Sequence, residues 1–296
     1  MKSGTVAVIG KPNVGKSTLV NALVGHKVSI VSRHPATTRF RILGVKTTDV
    51  HQIVFIDTPG YERPRHKLGE LMKDNVIAAI EEADLILAVI DVTRYDEEDR
   101  EILERIKKSE KNVIVVINKI DRASPREKIL TLIEHLNREF DFHEIIPCSA
   151  LNVENVDDVE KTIVKHLPEG EKLFPPEFTD SLPQTYKISE IIREKIFEQV
   201  YQEIPHSIAV EIEEMKPGDK NPDMLVIMAN IIVEKDNQKR IIIGKNGEKL
   251  KIVGSSARKE IELLLGKKVY LQLRVKTVEK WRDRPDISGR FGYGSI

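Results

Sequence analysis

Cysteine occurs once in the 296 residues, at Cys148, so no internal disulfide is available, and the eight histidines are scattered without metal-ligand spacing. No run of about 18 uncharged apolar residues is present, so no transmembrane helix is expected. The opening MKSGTVAVIG leaves no room for a signal peptide before its first strand-like run. These absences lead to the expectation of a cytoplasmic protein without structural zinc. Net charge is also missing, but only in total. Residues 1–180 hold 26 basic and 30 acidic side chains, net −4, whereas residues 181–296 hold 21 and 17, net +4. Between Arg240 and Arg290 the balance is 14 to 6, net +8, which suits a polyanionic partner.

What is present alternates. TVAVIG, HQIVFID, DLILAVID and NVIVVINK are apolar, β-branched runs of buried parallel-strand character, and EIIPCSA is a plausible further strand. Helical patterns lie between them at Lys16–Val24, Gly69–Glu82, Glu97–Ser109, Pro125–Glu139 and Val156–His166. This is the pattern of a doubly wound α/β domain. The chain is longer than one core comfortably supports. LPEGEKLFPPEFTDSLPQ, residues 167–184, has four prolines and no periodic apolar face, so it reads as a linker that packs along a surface or swings. After it come an amphipathic helix, TYKISEIIREKIFEQVYQEI, and two strands, SIAVEIEEM and DMLVIMANIIVEK, expected to be antiparallel. IIIGKNG, a helix over about Glu248–Leu264 and the strand KVYLQLRVK complete a smaller α+β domain.

GKPNVGKS, Gly10–Ser17, fits G-x-x-x-x-G-K-[ST] between a strand and a helix. The backbone of Lys11, Pro12, Asn13, Val14, Gly15, Lys16, Ser17 and Thr18 is expected to cradle phosphates, with Lys16 adding charge and Ser17 a hydroxyl for Mg²⁺. Asp57, ending HQIVFID, would hold Mg²⁺ through water, and the Gly60 amide of DTPG would sense the terminal phosphate. In PATTRF one of Thr37 and Thr38, with Thr38 favoured, would complete the metal shell when that phosphate is present. Asn118-Lys119-Ile120-Asp121 supplies the base reader. A carboxylate edge-on to guanine accepts from N1–H and the 2-amino group, a donor pair adenine lacks. Asn118 would fix the loop, the Lys119 stem would cover the base, and Ser149 and Ala150 would offer N–H groups to the guanine O6.

These motifs, in this order, resemble the translation-factor-like GTPases. GKNG, Gly244–Gly247, matches the G-x-x-G of KH domains, which clamps a single-stranded backbone. A GTPase domain followed by one type II KH domain resembles the Era family of bacterial ribosome-assembly GTPases. The implied domains are 1–170 GTPase, 171–184 linker, 185–280 KH and 281–296 basic tail. The resemblance implies a GTP-hydrolysing switch, with Lys16, Thr38 and Gly60 in the catalytic centre. It would bind small-subunit ribosomal RNA near its 3′ end and act on the 30S subunit, with no role for DNA. RNA contacts would come from Ile243, Gly244, Lys245, Asn246, Gly247, Lys249 and Lys251. Arg274, Lys276, Arg282, Arg284 and Trp281 are further candidates; Trp281 reads equally as a base-stacking ring or a packed anchor.

Tyr61 stands where Ras-type enzymes carry a water-orienting glutamine, which implies slow intrinsic turnover. Arg33, Arg39 and Arg41 read as surface or RNA charges rather than arginine fingers. Asn13 is shared with GTPases that place K⁺ beside the phosphates, and reads otherwise as a loop-stabilising side chain. A P-loop ATPase is disfavoured by NKID. An RNA chaperone, or a signalling GTPase peripheral to the inner membrane with hydrolysis as a timer, is the alternative.

Overall fold

The computed structural model describes residues 1–32, 37–200, 207–219, 221–289 and 291. The chain forms two compact units, Met1–Pro64 with Gly69–Ser181 and Arg65–Leu68 with Leu182–Ile296.

In the first unit the apolar runs become β1 (Lys2–Ile9), β3 (His51–Asp57), β4 (Leu85–Asp91), β5 (Asn112–Asn118) and β6 (Glu144–Pro147), all parallel. With β2 (Ile42–Thr47) at one edge, the sheet is ordered β2-β3-β1-β4-β5-β6. Helices α1 (Lys16–Val24), α2 (Lys67–Glu82), α3 (Glu97–Lys107), α4 (Glu127–Glu139) and α5 (Val156–His166) connect the strands. Every residue of β3 and β4 is buried, as expected for strands whose β-branched side chains face helices on both sides.

Strand β2 is absent from the sequence reading, because Gly44 and Lys46 interrupt its apolar run. It exists through pairing, antiparallel to β3 at the sheet edge. That edge is covered by the expected linker. Val45 N–H donates to Thr179 O (2.9 Å) and Ser181 N–H to Leu43 O (3.3 Å). The buried Gln52 amide bonds to the backbone of Leu173 and Phe174, and Phe174 stacks on Phe178 at 4.5 Å. Up to Ser181 this segment is therefore a strap on the first unit, which satisfies an edge that would otherwise expose unpaired backbone groups.

The second unit runs α6 (Gln184–Gln199), β7 (Ala209–Pro217), β8 (Leu225–Val233), α7 (Asp236–Ile243), α8 (Glu248–Leu265) and β9 (Val269–Thr277). Strand β8 is central, antiparallel to β7 and parallel to β9. Ile188, Ile192 and Ile196 recur every four residues on α6, as do Val253, Ala257 and Ile261 on α8; all six are buried. Helix α7 has no counterpart in the sequence reading. Ile241–Ile243 is its last turn, which ends at Gly244, where φ is +73°. No helix among the described residues is long and apolar enough to cross a membrane.

Candidate functional site

The carboxyl ends of the parallel strands bring the motifs to one edge, as expected for an open α/β sheet. Gly10–Ser17 links β1 to α1, Asp57 ends β3, Asn118 ends β5 and Ser149 follows β6. Gly15 precedes α1 at φ +99°; a Cβ there would lie 2.3 Å from Asn118 Nδ2. The loop and the base-reading segment therefore approach too closely for any side chain. No side chain caps the start of α1, which leaves its first amides directed at the loop.

Lys16 is buried, and its ammonium donates to Gly10 O (3.1 Å) and Lys11 O (2.8 Å). Burial pushes its pKa down to about 8, against the opposing pull of Asp57 and Glu62. Beside it, Ser17 Oγ lies 2.7 Å from Asp57 Oδ2 and 2.9 Å from Thr38 Oγ1, and Thr38 Oγ1 donates to Asp57 Oδ2 at 3.4 Å. Asp57 is fully buried, and its Oδ1 has no hydrogen-bond partner among the described residues. Burial raises the Asp57 pKa, opposed by the Ser17 hydroxyl and Lys16. Two hydroxyls and a carboxylate with an unsatisfied oxygen are a hard-oxygen donor set that fits Mg²⁺.

Asn118 is the hub of the base-reading side. Its Nδ2 donates to Val14 O (2.8 Å) and its Oδ1 accepts from Ala150 N–H (3.0 Å). Lys119, in the left-handed region at φ 63°, reaches Asn13 O (2.5 Å) and Asp91 Oδ2 (2.6 Å). Ser149 Oγ donates to Asp121 Oδ1 at 2.6 Å, so a hydroxyl orients the carboxylate. The Ser149 and Ala150 N–H groups, expected at the guanine O6, are both engaged, with Glu154 O and Asn118 Oδ1. The same loop also holds Asn118 and Asp121 in place.

Sequence reasoning also missed Asp91, whose carboxylate pairs with Lys119 and accepts from Thr93 N–H (2.9 Å). The available signal was an acid closing a fully buried strand at the sheet's carboxyl edge. Thr58 Oγ1 ties DTPG to Val8 O at 2.6 Å, and Asn21 holds Val28 and Ser29 backbone groups at 2.8–3.0 Å. Pro12 packs on Gly60: a Cβ at Gly60 would lie 2.6 Å from Pro12 N and Cγ. Thr18 lies in the first turn of α1. Arg39 is buried and so is no surface charge, Arg41 pairs with Glu82 (2.5 Å), and Arg33 lies outside the described residues.

In the second unit Gly244, Lys245, Asn246 and Gly247 form a single tight turn between α7 and α8, with Gly247 N–H donating to Gly244 O (3.3 Å). Lys245, Asn246 and Lys251 are exposed, Ile243 and Lys249 half-buried. Among the described residues, none of the three lysines pairs with a carboxylate. Arg274 and Lys276 share Glu213 at 3.8 and 3.3 Å. Arg282 is bound bidentately by Glu234 at 3.1 and 2.6 Å, and Arg284 lies 3.6 Å from Asp286. Trp281 is fully buried, its Nε1 donating to Ser207 O (2.9 Å) and its ring edge-on to Phe291. The base-stacking reading of Trp281 is therefore wrong; a ring without exposed surface cannot receive a base.

Residues 5–119 match the family model described as 50S ribosome-binding GTPase, and residues 203–282 match that of the KH domain. GTPase Era of Aquifex aeolicus (strain VF5) is 50% identical, with 99% of each chain covered. The chain belongs to the Era family of GTPases. GTPase Era of Clostridioides difficile (strain 630) is 45% identical over 99% of this chain and 98% of its own. The structure of a tyrosine-to-alanine variant of Aquifex aeolicus Era bound to GDP·AlF₄⁻ superposes with a TM-score of 0.96, at 50% identity and full coverage of both chains. That of Era in complex with MgGDPNP and nucleotides 1506–1542 of 16S ribosomal RNA gives 0.97, also at 50% identity and full coverage of both. The α/β GTPase unit followed by a KH unit is the architecture of this family.

Proposed function

We propose that the chain hydrolyses GTP at the Gly10–Ser17 site and binds the 3′ end of small-subunit ribosomal RNA at the Gly244–Gly247 turn, acting in assembly of the 30S subunit. The observation that carries the first half is the convergence of Lys16, Ser17, Thr38 and Asp57 on one point, with Asn118 binding the phosphate loop to the base-reading loop. The Era relative that holds MgGDPNP and 16S rRNA supports the second.

In this reading the amides of Lys11 and Asn13–Thr18 cradle the phosphates, and the Lys16 ammonium exchanges its two carbonyl partners for phosphate oxygens. Ser17, Thr38 and, through water, Asp57 would hold Mg²⁺, which supplies positive charge between the outer phosphates. The Gly60 amide, fixed against Pro12, donates to the γ-phosphate. Asp121, oriented by Ser149, accepts from the guanine N1–H and 2-amino group, and the Lys119 stem covers the base. Water attacks the γ-phosphorus in line, and charge spreading over the phosphoryl oxygens meets the fixed donors. Tyr61 offers no side-chain amide to orient that water, so turnover without a partner is slow. The Asn13 side chain would hold K⁺, and hydrolysis is then faster in K⁺ than in Na⁺; equal rates reject that part.

On the second unit Gly244 and Gly247 let the sugar–phosphate backbone approach. Lys245, Lys249 and Lys251 attract it, and Ile243 lines the groove beside Asn246. Arg274, already shared with Glu213, and Arg282, held by Glu234, are secondary contacts. The test is twofold. Purified protein with Mg²⁺ should release phosphate from GTP, resist competition by excess ATP, and lose activity as Lys16→Ala. Crosslinking to total RNA with a non-hydrolysable GTP analogue should enrich the 3′ end of small-subunit rRNA. Equal inhibition by ATP, or no such enrichment, overturns the respective half.

A further inference from the structure

The side chain of Lys11 does not face the phosphate cradle. It is 6% exposed, and its ammonium lies 2.7 Å from Asp96 Oδ1, 2.6 Å from Asp99 Oδ2 and 3.4 Å from Arg94 O. Both acids sit at the start of α3 and are themselves fixed. Asp96 Oδ1 accepts from Glu98 N–H (3.0 Å), and Asp99 Oδ2, on a 1% exposed residue, accepts from Asp96 N–H (3.1 Å). Burial alone would lower the Lys11 pKa, but the two carboxylates outweigh it and raise it, so the ammonium stays charged. A lysine held by two carboxylates in this way has no positive charge to spare for a phosphate.

What the clamp fixes is the backbone at residues 10–12, where three elements of the site meet. Lys11 O accepts from Lys16 Nζ (2.8 Å), Gly10 O accepts from Tyr61 N–H (3.1 Å), and Pro12 sits against Gly60. Residues further along the loop are secured separately, Asn13 by Lys119 and Val14 by Asn118. The same helix also holds the segment after DTPG, through Arg105 to Tyr61 Oη (3.2 Å) and Glu101 to Arg63 (3.1 Å). Helix α3 therefore registers the phosphate loop against the segment that follows Gly60.

We propose that Asp96 and Asp99 are positioning residues for GTP hydrolysis, acting through Lys11 to set the γ-phosphate end of the loop. The inference rests on the GTP reading above. Because the α- and β-phosphates depend on residues 13–18, breaking the clamp affects steps that involve the γ-phosphate and spares GDP.

The experiment compares single-turnover hydrolysis, GDP affinity and melting temperature in the full-length protein. Asp96→Asn keeps an N-cap of equal quality while removing one charge, and Asp99→Asn removes the buried one. Together they should slow hydrolysis about tenfold or more, the scale of a small misplacement of reacting groups, with GDP affinity changed less than about threefold. In a Lys11→Met background the two substitutions should cost nothing further, because they act through Lys11. If effects multiply in that background, if GDP affinity falls in step with hydrolysis, or if only the melting temperature moves, the proposal is wrong. Should the double variant not fold, Asp96→Asn alone with and without Lys11→Met decides the coupling. Wild-type protein that bound neither GDP nor GTP would instead refute the nucleotide reading itself.

Discussion

Proton uptake on nucleotide binding follows from the position of Lys16. Burial lowers its pKa from 10.5 to about 8 in the nucleotide-free site, disfavouring the ammonium by roughly 3 kcal/mol. The free site loses its proton as pH rises through about 8, whereas the negative charge of bound phosphates would favour the ammonium. Binding therefore takes up a proton, and affinity falls with rising pH. With a free-site pKa near 8, about nine-tenths of the sites are charged near pH 7 and about a quarter near pH 8.5. GDP affinity should then drop about fourfold between these pH values, with proton uptake rising from about 0.1 to about 0.75. Calorimetry in two buffers of different ionisation enthalpy measures the uptake, after subtraction of the free nucleotide's own titration. In the unliganded protein the same group makes the folded state bind fewer protons than the unfolded between about pH 8 and 10.5. The depressed pKa is therefore a cost to folding below that window, and it is relieved as pH rises through it. Uptake near zero at pH 8.5, with flat affinity, would refute the reasoning.

Asn118→Ala strands Val14 C=O and Ala150 N–H, and at about 1–3 kcal/mol for each buried orphan it should lower unfolding free energy by about 2–6 kcal/mol in denaturant titration. A loss below about 1 kcal/mol would mean the hub is dispensable. Gly60→Ala drives a methyl into Pro12, so hydrolysis should fall at least about tenfold while GDP affinity holds; near-normal hydrolysis contradicts the contact. Trp281→Ala should destabilise the second unit by about 3–5 kcal/mol, and the fluorescence of this sole tryptophan should not respond directly to RNA; quenching by a bound base would reverse the assignment. Lys249→Ala should lower the slope of log affinity against log salt by about 0.7 for single-stranded RNA, and an unchanged slope would remove Lys249 from the interface.

The sheet was legible where strands are buried on both faces, because β-branched runs such as His51–Asp57 have few other uses. β2 was not, since an edge strand is defined by what it pairs with, and its partners are 5–15 residues ahead in β3 and over 130 residues away in the strap. Phosphate and base motifs were legible because each demands fixed residue types at fixed spacing. The clamp on Lys11 was invisible: it joins residues 85–88 apart, and acids at the start of a helix ordinarily read as caps. Trp281 was ambiguous in sequence because a tail tryptophan serves a core or a base equally well, and only its carbonyl partner and zero exposure decide.

The central claim is that one chain links a guanine nucleotide to ribosomal RNA. Calorimetric titration of a 3′-terminal small-subunit rRNA fragment into protein loaded with either GDP or a non-hydrolysable GTP analogue tests it. The account predicts tighter RNA binding in one state, and an identical factor when nucleotide is titrated with and without RNA. Equal RNA affinity in both states, or no RNA binding in either, would contradict it.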